Sequence, residues 1–215
     1  MAKLTTVEQA LAHLEHGSVI MIGGFLGCGT PEALIDAMVD KGCRELTIIA
    51  NDSGFPTKGI GKLIVAKQVK KLIASHIGTN AETGRQMQAN ELAVELVPQG
   101  TLIERIRCGG AGLGGILTPT GVGTVVAEGK EIINVDGQNF LLEKPLTAEI
   151  ALLNAHKADE NGNLVFRRSA RNFNPVIGTA AKTVIAQVQE IVPVGALDPD
   201  EVMLPGIFVD FIVKS

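Results

Sequence analysis

With 215 residues, 46% apolar and 20% charged, the chain can bury one substantial core, and a single domain over 1–215 is expected. Its net charge is −4 and no basic run exceeds Lys70-Lys71 or Arg167-Arg168, which argues against a nucleic-acid surface. Trp and Tyr are absent, removing the usual base-stacking platforms, and no apolar run is long enough to span a membrane, so neither nucleic acid nor membrane is an expected partner.

Residues 5–16 predict a first helix. Thr6 serves as N-cap, Gln9 follows three residues on, and Val7, Ala10, Leu11 and Leu14 make an apolar stripe. Gly17 ends it. Val19–Ile22 is a continuous aliphatic run, which suits a strand covered on both faces. It enters a glycine-rich loop, Gly23-Gly24-Phe25-Leu26-Gly27-Cys28-Gly29-Thr30-Pro31. The glycines permit sharp turns and close approach, and free N–H groups there suit an anion or a developing negative charge. The loop is neither a G-x-G-x-x-G fingerprint nor a P-loop.

A helix over 31–41 opens at Pro31 and closes at Gly42. A second buried strand, 46–50, ends at Asn51. This βαβ alternation predicts a parallel sheet, with Asn51 at the carboxyl edge where such sheets bind ligands. A short helix over 60–66 and a strand over 69–75 follow, ending in Ser75-His76-Ile77-Gly78-Thr79-Asn80. A polar helix over 81–91 leads to a strand over 92–97. Gln99-Gly100-Thr101 opens a helix through Leu102, Ile103 and Ile106, then a second glycine cluster runs from Gly109 to Gly115.

Strands at 132–135 and 139–142 flank Asp136-Gly137, a hairpin signal. Residues 112–146 therefore read as an excursion from the main sheet. The segment 148–154 returns to the core, 159–163 is a turn, and 164–166 is extended. A helix over 172–181, a strand over 184–188 and a short last strand at 207–209 complete the chain. The expected architecture is α/β, an open and mostly parallel sheet flanked by helices, with a β-hairpin excursion around 112–146.

Cys28, Cys43 and Cys108 lack metal-ligand or redox spacing; reduced thiols in a cytoplasmic setting are expected, and the N-terminus carries no targeting pattern. No metal site is predicted. Cys28 lies in the glycine loop without a placed base and reads as a small buried filler. There is no Gly-x-Ser-x-Gly elbow. His13 and His16 read as surface residues, His76 as a packed or turn residue, and His156 has no visible partner. Asn51, Ser75, His76, Asn80 and Gln99 fall at strand ends. Asn51 and Gln99 can donate to an oxyanion without carrying charge, or simply make a turn and cap a helix start.

Several stretches carry a resemblance. Gly17 to Pro31, Ile49-Ala50-Asn51-Asp52, Ala74 to Asn80, Val97-Pro98-Gln99-Gly100-Thr101 through Arg107, Gly109 to Gly115, Thr118-Pro119-Thr120-Gly121 and Ser169-Ala170-Arg171-Asn172-Phe173-Asn174-Pro175 resemble the α subunit of family I 3-oxoacid CoA-transferases. The nearest type is the acetate or butyrate–acetoacetate enzyme. The resemblance implies ping-pong transfer of CoA between a short-chain acyl-CoA and a free carboxylate through a glutamyl-CoA thioester. It implies that the nucleophilic glutamate belongs to a β subunit, in an assembly of α₂β₂ or larger, and that coenzyme A enters as substrate with no bound cofactor. It places no catalytic nucleophile in this chain. Gly23, Gly24, Phe25, Gly27 and Gly29 would shape the acyl pocket, with Asn51 and Gln99 as orienters or oxyanion donors.

Asp159-Glu160-Asn161-Gly162 contains Glu-Asn-Gly, but an acidic, polar Asn-Gly cluster between apolar segments reads as a surface turn. A sugar-phosphate isomerase or binding protein of similar architecture is the alternative. It would want Lys or Arg at the glycine loops, and none occurs from Ile22 to Pro31.

Overall fold

The computed structural model describes residues 3–215, with the side chain of Lys3 excepted. Its elements are, in order, β1 (Lys3–Leu4), α1 (Val7–Ala10), β2 (Val19–Ile22), α2 (Glu32–Lys41), β3 (Leu46–Ile49), α3 (Gly61–Val65), β4 (Val69–Ala74), α4 (Ala81–Gln88) and β5 (Ala93–Leu96). Then come α5 (Gln99–Gly110), β6 (Ile116–Thr118), β7 (Ile132–Val135), β8 (Gln138–Glu143), β9 (Ala148–Asp159), β10 (Leu164–Val165), α6 (Asn174–Ile177), β11 (Ala181–Val192) and β12 (Phe211–Lys214).

Eight strands form a parallel sheet in the order β1-β12-β11-β9-β2-β3-β4-β5, and β10 adds antiparallel to β9. The aliphatic runs have the reason expected: both faces are covered. Met21, Ile49 and Ile73 pack on one side, with Ile106 of α5 and Ile177 of α6. Ile20, Ile22, Ile48 and Leu72 pack on the other, with Leu34 and Met38 of α2 and Leu63 of α3. Gly42 closes α2 at φ 72°, donating to the carbonyls of Met38 and Val39.

The excursion is larger than a hairpin. β7 and β8 turn at Asp136 and Gly137, both at positive φ, and β6 adds on the far side of β8 as a third antiparallel strand. Three further expectations change. The first helix keeps only Val7–Ala10 and continues as turns, although Leu11 and Leu14 remain buried. The helix expected over 172–181 shrinks to Asn174–Ile177, because Gly178 ends it and Ala181 already pairs with Ala148. The last strand lies at Phe211–Lys214. Residues 206–208 form a 3₁₀ turn after Pro205, with Ile207 exposed, while Ile212 and Val213 fill the core.

β9 and β11 are each 12 residues long. β2 meets β9 only over Ile20–Ile22 opposite Ile150–Leu152. The remaining length of β9 and β11 continues beyond the end of β2, with β10 pairing antiparallel to β9 at Lys157 and Ala158. The first glycine loop leaves β2 at that step.

Candidate active site

The loop after β2 is itself a miniature hairpin. Phe25 and Cys28 exchange both backbone hydrogen bonds, at 3.0 and 2.9 Å. Leu26 and Gly27 make the turn at φ 47° and 80°, the paired left-handed geometry of a type I′ turn. Leu26 is not glycine, so this conformation costs about 1–2 kcal/mol and needs support.

Asp52 supplies it. This carboxylate follows β3 and is buried. Its Oδ2 accepts the Leu26 N–H at 2.8 Å and Asn51 Nδ2 at 2.8 Å, and its Oδ1 accepts the Gly54 N–H at 2.9 Å. It thereby ties the first loop to a second, tight loop after β3. In that second loop Phe55 pairs with Lys58 across Pro56-Thr57, between Gly54 and Gly59 at positive φ. The two loops share a sequence spacing, Gly24-Phe25…Gly29 and Gly54-Phe55…Gly59.

The other flank is held by Asn172 and Asn174. Asn172 Nδ2 donates to the carbonyls of Cys28 and Ser169, at 3.0 and 2.6 Å. Asn174, fully buried, donates from Nδ2 to the carbonyls of Gly29 and Ala170, at 2.9 and 3.0 Å, and accepts the Asn154 N–H at 3.0 Å. A β-carbon on Gly23 would collide with Asn174 Oδ1, and one on Gly24 with Thr30 Oγ1. The close approach that Gly23 permits is therefore made by the chain's own asparagine. Gly27 faces the side chain of Lys58 instead.

Between the two loops lies a cleft of about 20 Å³, bordered by Gly23, Gly24, Gly27, Thr30, Asn51 and Asp52. That is roughly room for one water-sized group. Among the described residues the backbone N–H groups of Gly24, Gly27 and Gly29 have no hydrogen-bond partner. The loop is thus fixed from both sides and still has donors to offer.

The remaining candidates separate. Asn51 is buried in the cleft wall; its Oδ1 accepts Ser75 Oγ at 3.1 Å while its Nδ2 leans on Asp52. Ser75 also donates to the Asn51 carbonyl at 2.7 Å. Gln99 is the exposed first residue of α5, beyond β5 at the sheet margin, two strands from Asn51. Asn80 caps α4 and donates to Ser53, and His76 is exposed. Phe25 stands 40% exposed at the loop surface beside Leu26. Cys28, expected as a buried filler, is exposed, with its Sγ 3.1 Å from Ser169 Oγ. His156, expected to lack a partner, meets Gln189 Oε1 at 3.0 Å.

Asp159 accepts the N–H groups of Asn161 and Asn163 at 3.1 and 2.9 Å, so this segment is the turn that its composition indicates, with Glu160 exposed. Lys and Arg, absent from the loop in sequence, come near it in space: the Lys58 side chain lies beside Gly27, and Arg167 and Arg168 border a cleft with Cys28 and Gly29. Among the described residues no group of three metal-ligating side chains occurs, and no helix is long and apolar enough to cross a membrane.

A parallel sheet covered on both faces, with a braced donor-bearing loop at its carboxyl edge, is the layout of an α/β small-molecule enzyme. The coenzyme A transferase family model matches residues 4–215, and the chain belongs to that family. It is 55% identical over 213 residues to the acetate CoA-transferase subunit alpha of Escherichia coli K12, covering 99% of this chain and 97% of that one. It is 50% identical over 214 residues to the acetoacetyl-CoA:acetate/butyrate CoA transferase alpha subunit of Clostridium acetobutylicum, covering 100% and 98%. In fold it is similar to the acyl-CoA transferase YdiF of E. coli O157:H7, at a TM-score of 0.87 and 24% identity. That match covers all of this chain and 47% of the other, so this chain spans about half of that one.

Proposed function

We propose that this chain is the α subunit of a heteromeric CoA-transferase, moving CoA between a short-chain acyl-CoA and a free carboxylate such as acetate, butyrate or acetoacetate. The observation that carries the reading is the first glycine loop. It is braced by Asp52 and Asn174 and bears free N–H donors, yet among the described residues no carboxylate is poised beside it as a nucleophile. Both oxygens of Asp52 are occupied by hydrogen bonds. The loop thus offers donors for the charge that develops on a thioester oxygen under attack, and the attacking group comes from elsewhere.

In this reading a glutamate of a β subunit attacks the acyl-CoA carbonyl. That attack expels CoA thiolate and leaves an acyl–glutamyl anhydride; the thiolate then attacks the glutamyl carbonyl, releasing the first carboxylate and leaving CoA on the glutamate as a thioester, and the acceptor carboxylate runs the same two steps in reverse. Asn51 faces the reacting centre from the cleft wall, and Gln99 would act on it from the sheet margin. The chain spans one domain over 1–215, works in the cytoplasm as α₂β₂ or larger, and binds no cofactor beyond CoA as substrate. The subunit names of its relatives support a β partner.

The test is an assay of the purified chain alone and after mixing with its partner. CoA transfer from acetoacetyl-CoA to acetate is expected only from the mixture, with a glutamyl-CoA adduct on the partner trapped by borohydride. Full activity from the single chain would refute the division of labour.

A further inference from the structure

The cleft between the two loops has room for one small group, and the fixity of its walls decides what that group can be. Beside the N–H donors of Gly24 and Gly27 its border includes three buried apolar side chains, Ile22, Ala50 and Ile60. Ile60 directly follows Gly59, so the width of the cleft depends on where the second loop stands. One end of that loop is tied down at Gly54, whose N–H goes to Asp52 Oδ1 and whose carbonyl accepts Thr79 Oγ1 at 2.7 Å.

The other end is held from α2. Glu32, in the first turn of that helix, receives the Gly59 N–H on both carboxylate oxygens, each at 3.1 Å. The carboxylate is itself locked. Lys62 of α3 donates to its Oε2 at 2.7 Å and also to Asp36, one turn further along α2. The Lys62 side chain is only 20% exposed. Burial works against its charge, but the hydrogen bonds and charges of Asp36 and Glu32 outweigh burial and hold its pKa above the ordinary value of 10.5. Thr30 completes the contact: a β-carbon on Gly24 or on Gly59 would meet its side chain, so both loops bear on one residue.

We infer that Glu32, clamped by Lys62, determines acyl-group specificity: by fixing Gly59 it sets the width of the cleft, which admits a linear acyl group and rejects one branched at the carbon beside the thioester carbonyl. The inference rests on the CoA-transferase reading. A thioester whose oxygen meets the N–H groups of Gly24 and Gly27 places its α-carbon between Ile22, Ala50 and Ile60. One methylene fits there, and the rest of a linear chain continues out of the cleft. A second methyl group on the same carbon requires the walls to part, and the clamp at Gly59 opposes that. Glu32 acts through Gly59 and Ile60 and touches no reacting atom, so it is a positioning residue.

The experiment uses the assembled complex of this chain with its partner and two isomeric donors, butyryl-CoA and 2-methylpropanoyl-CoA, which differ in width but not in composition. The readout is the ratio of their kcat/KM values, which a loss of folded enzyme leaves unchanged. The wild-type complex is expected to favour the linear donor by roughly tenfold or more. Glu32→Ala is expected to cut that preference by about tenfold, whereas Glu32→Gln, which keeps an acceptor for the Gly59 N–H, should retain most of it. Lys62→Met leaves the acceptor but unlocks it, and its ratio should fall between the two. A wild-type ratio near one would overturn the inference. So would an unchanged ratio in Glu32→Ala, or in Lys62→Met should Glu32→Ala fail to assemble. An equal shift in Glu32→Gln and Glu32→Ala would overturn it as well, since the contact with Gly59 would then not be what matters. Wild-type turnover separates the two readings: no transfer from either donor or from acetoacetyl-CoA defeats the proposed function, whereas transfer without selection between the isomers defeats only this inference.

Discussion

Asp52 Oδ2 receives the backbone N–H of Leu26 at 2.8 Å, across 26 residues of sequence, and this bond holds a non-glycine residue at φ 47°. Because Oδ1 takes the Gly54 N–H, one buried carboxylate sets the spacing of both loops. Asp52→Ala leaves the donors of Leu26, Gly54 and Asn51 short of an acceptor. Hydrogen bonds to a charged group contribute about 1.5–3 kcal/mol each, and solvent will reach some of the freed donors. The expected loss is about 2–4 kcal/mol in urea unfolding, with a steep fall in turnover of the assembled complex. Asp52→Asn keeps an acceptor and should lose less of both. Wild-type stability in the alanine variant would show that the loops do not depend on this residue.

Gly23 and Asn174 form a second coupled pair. Gly23→Ala puts a methyl group where Asn174 Oδ1 lies, and Asn174 is itself pinned by three hydrogen bonds. Overpacking of this kind costs about 1–3 kcal/mol. Asn174→Ala alone should also destabilise, by leaving the Gly29 and Ala170 carbonyls and the Asn154 N–H unpaired. The double variant should be less unstable than the sum, with a coupling of about 0.5–3 kcal/mol in a thermodynamic cycle. Strict additivity would mean that the two residues do not meet.

The parallel sheet, its covered faces and the placing of Asn51 at the carboxyl edge were legible because aliphatic runs and glycine punctuation are local signals. The bracing of the glycine loop was not. Asn174 lies in a stretch whose composition reads as a helix, and only the pairing of Ala181 with Ala148 shows that the helix must stop. Asp52 directly follows the strand end at Asn51, and nothing local reveals that Leu26 is its partner. The cations near the loop were missed for the same reason: Lys58, Arg167 and Arg168 are distant in sequence and reach the site only through tertiary packing. β6 is three residues long within a glycine-rich stretch, too short for alternation to show.

Glu95 gives a pH prediction. It bridges β4 to α5, meeting Lys71 Nζ at 2.8 Å and Arg105 NH1 at 3.1 Å. Burial acts to raise its pKa, but the hydrogen bonds and charges of Lys71 and Arg105 outweigh burial and hold it below the ordinary value of 4.5. A depressed folded-state pKa means that the stabilisation is complete above the unfolded value and is lost as pH falls through the lower folded one. Stability should therefore decline below about pH 4.5, and Glu95→Gln should flatten part of that acid limb while lowering stability at neutral pH. An unaltered acid limb in the variant would remove Glu95 from the account.

Asn51 and Gln99 should both matter to turnover, and Asn51 more. Asn51 is buried in the cleft wall beside the donors of Gly24 and Gly27, with its amide oriented by Ser75 and Asp52. One of its two N–H bonds is spent on Asp52, and the other is available to a reacting oxygen. Losing a preorganised donor of this kind costs about 2.7–4 kcal/mol of transition-state stabilisation, or roughly two to three orders of magnitude in kcat. Gln99 is exposed at the margin of the sheet, without fixed partners, so it must be ordered before it can donate. Gln99→Ala is therefore expected to lower kcat by about tenfold, equivalent to ~1.4 kcal/mol. Asn51→Asp separates geometry from chemistry: it keeps the shape but brings a second carboxylate against Asp52 and replaces a donor with an acceptor. It should be as inactive as Asn51→Ala. Full turnover in both single alanine variants and in their double variant would remove the two amides from the site and leave the glycine N–H groups as the donors on this side.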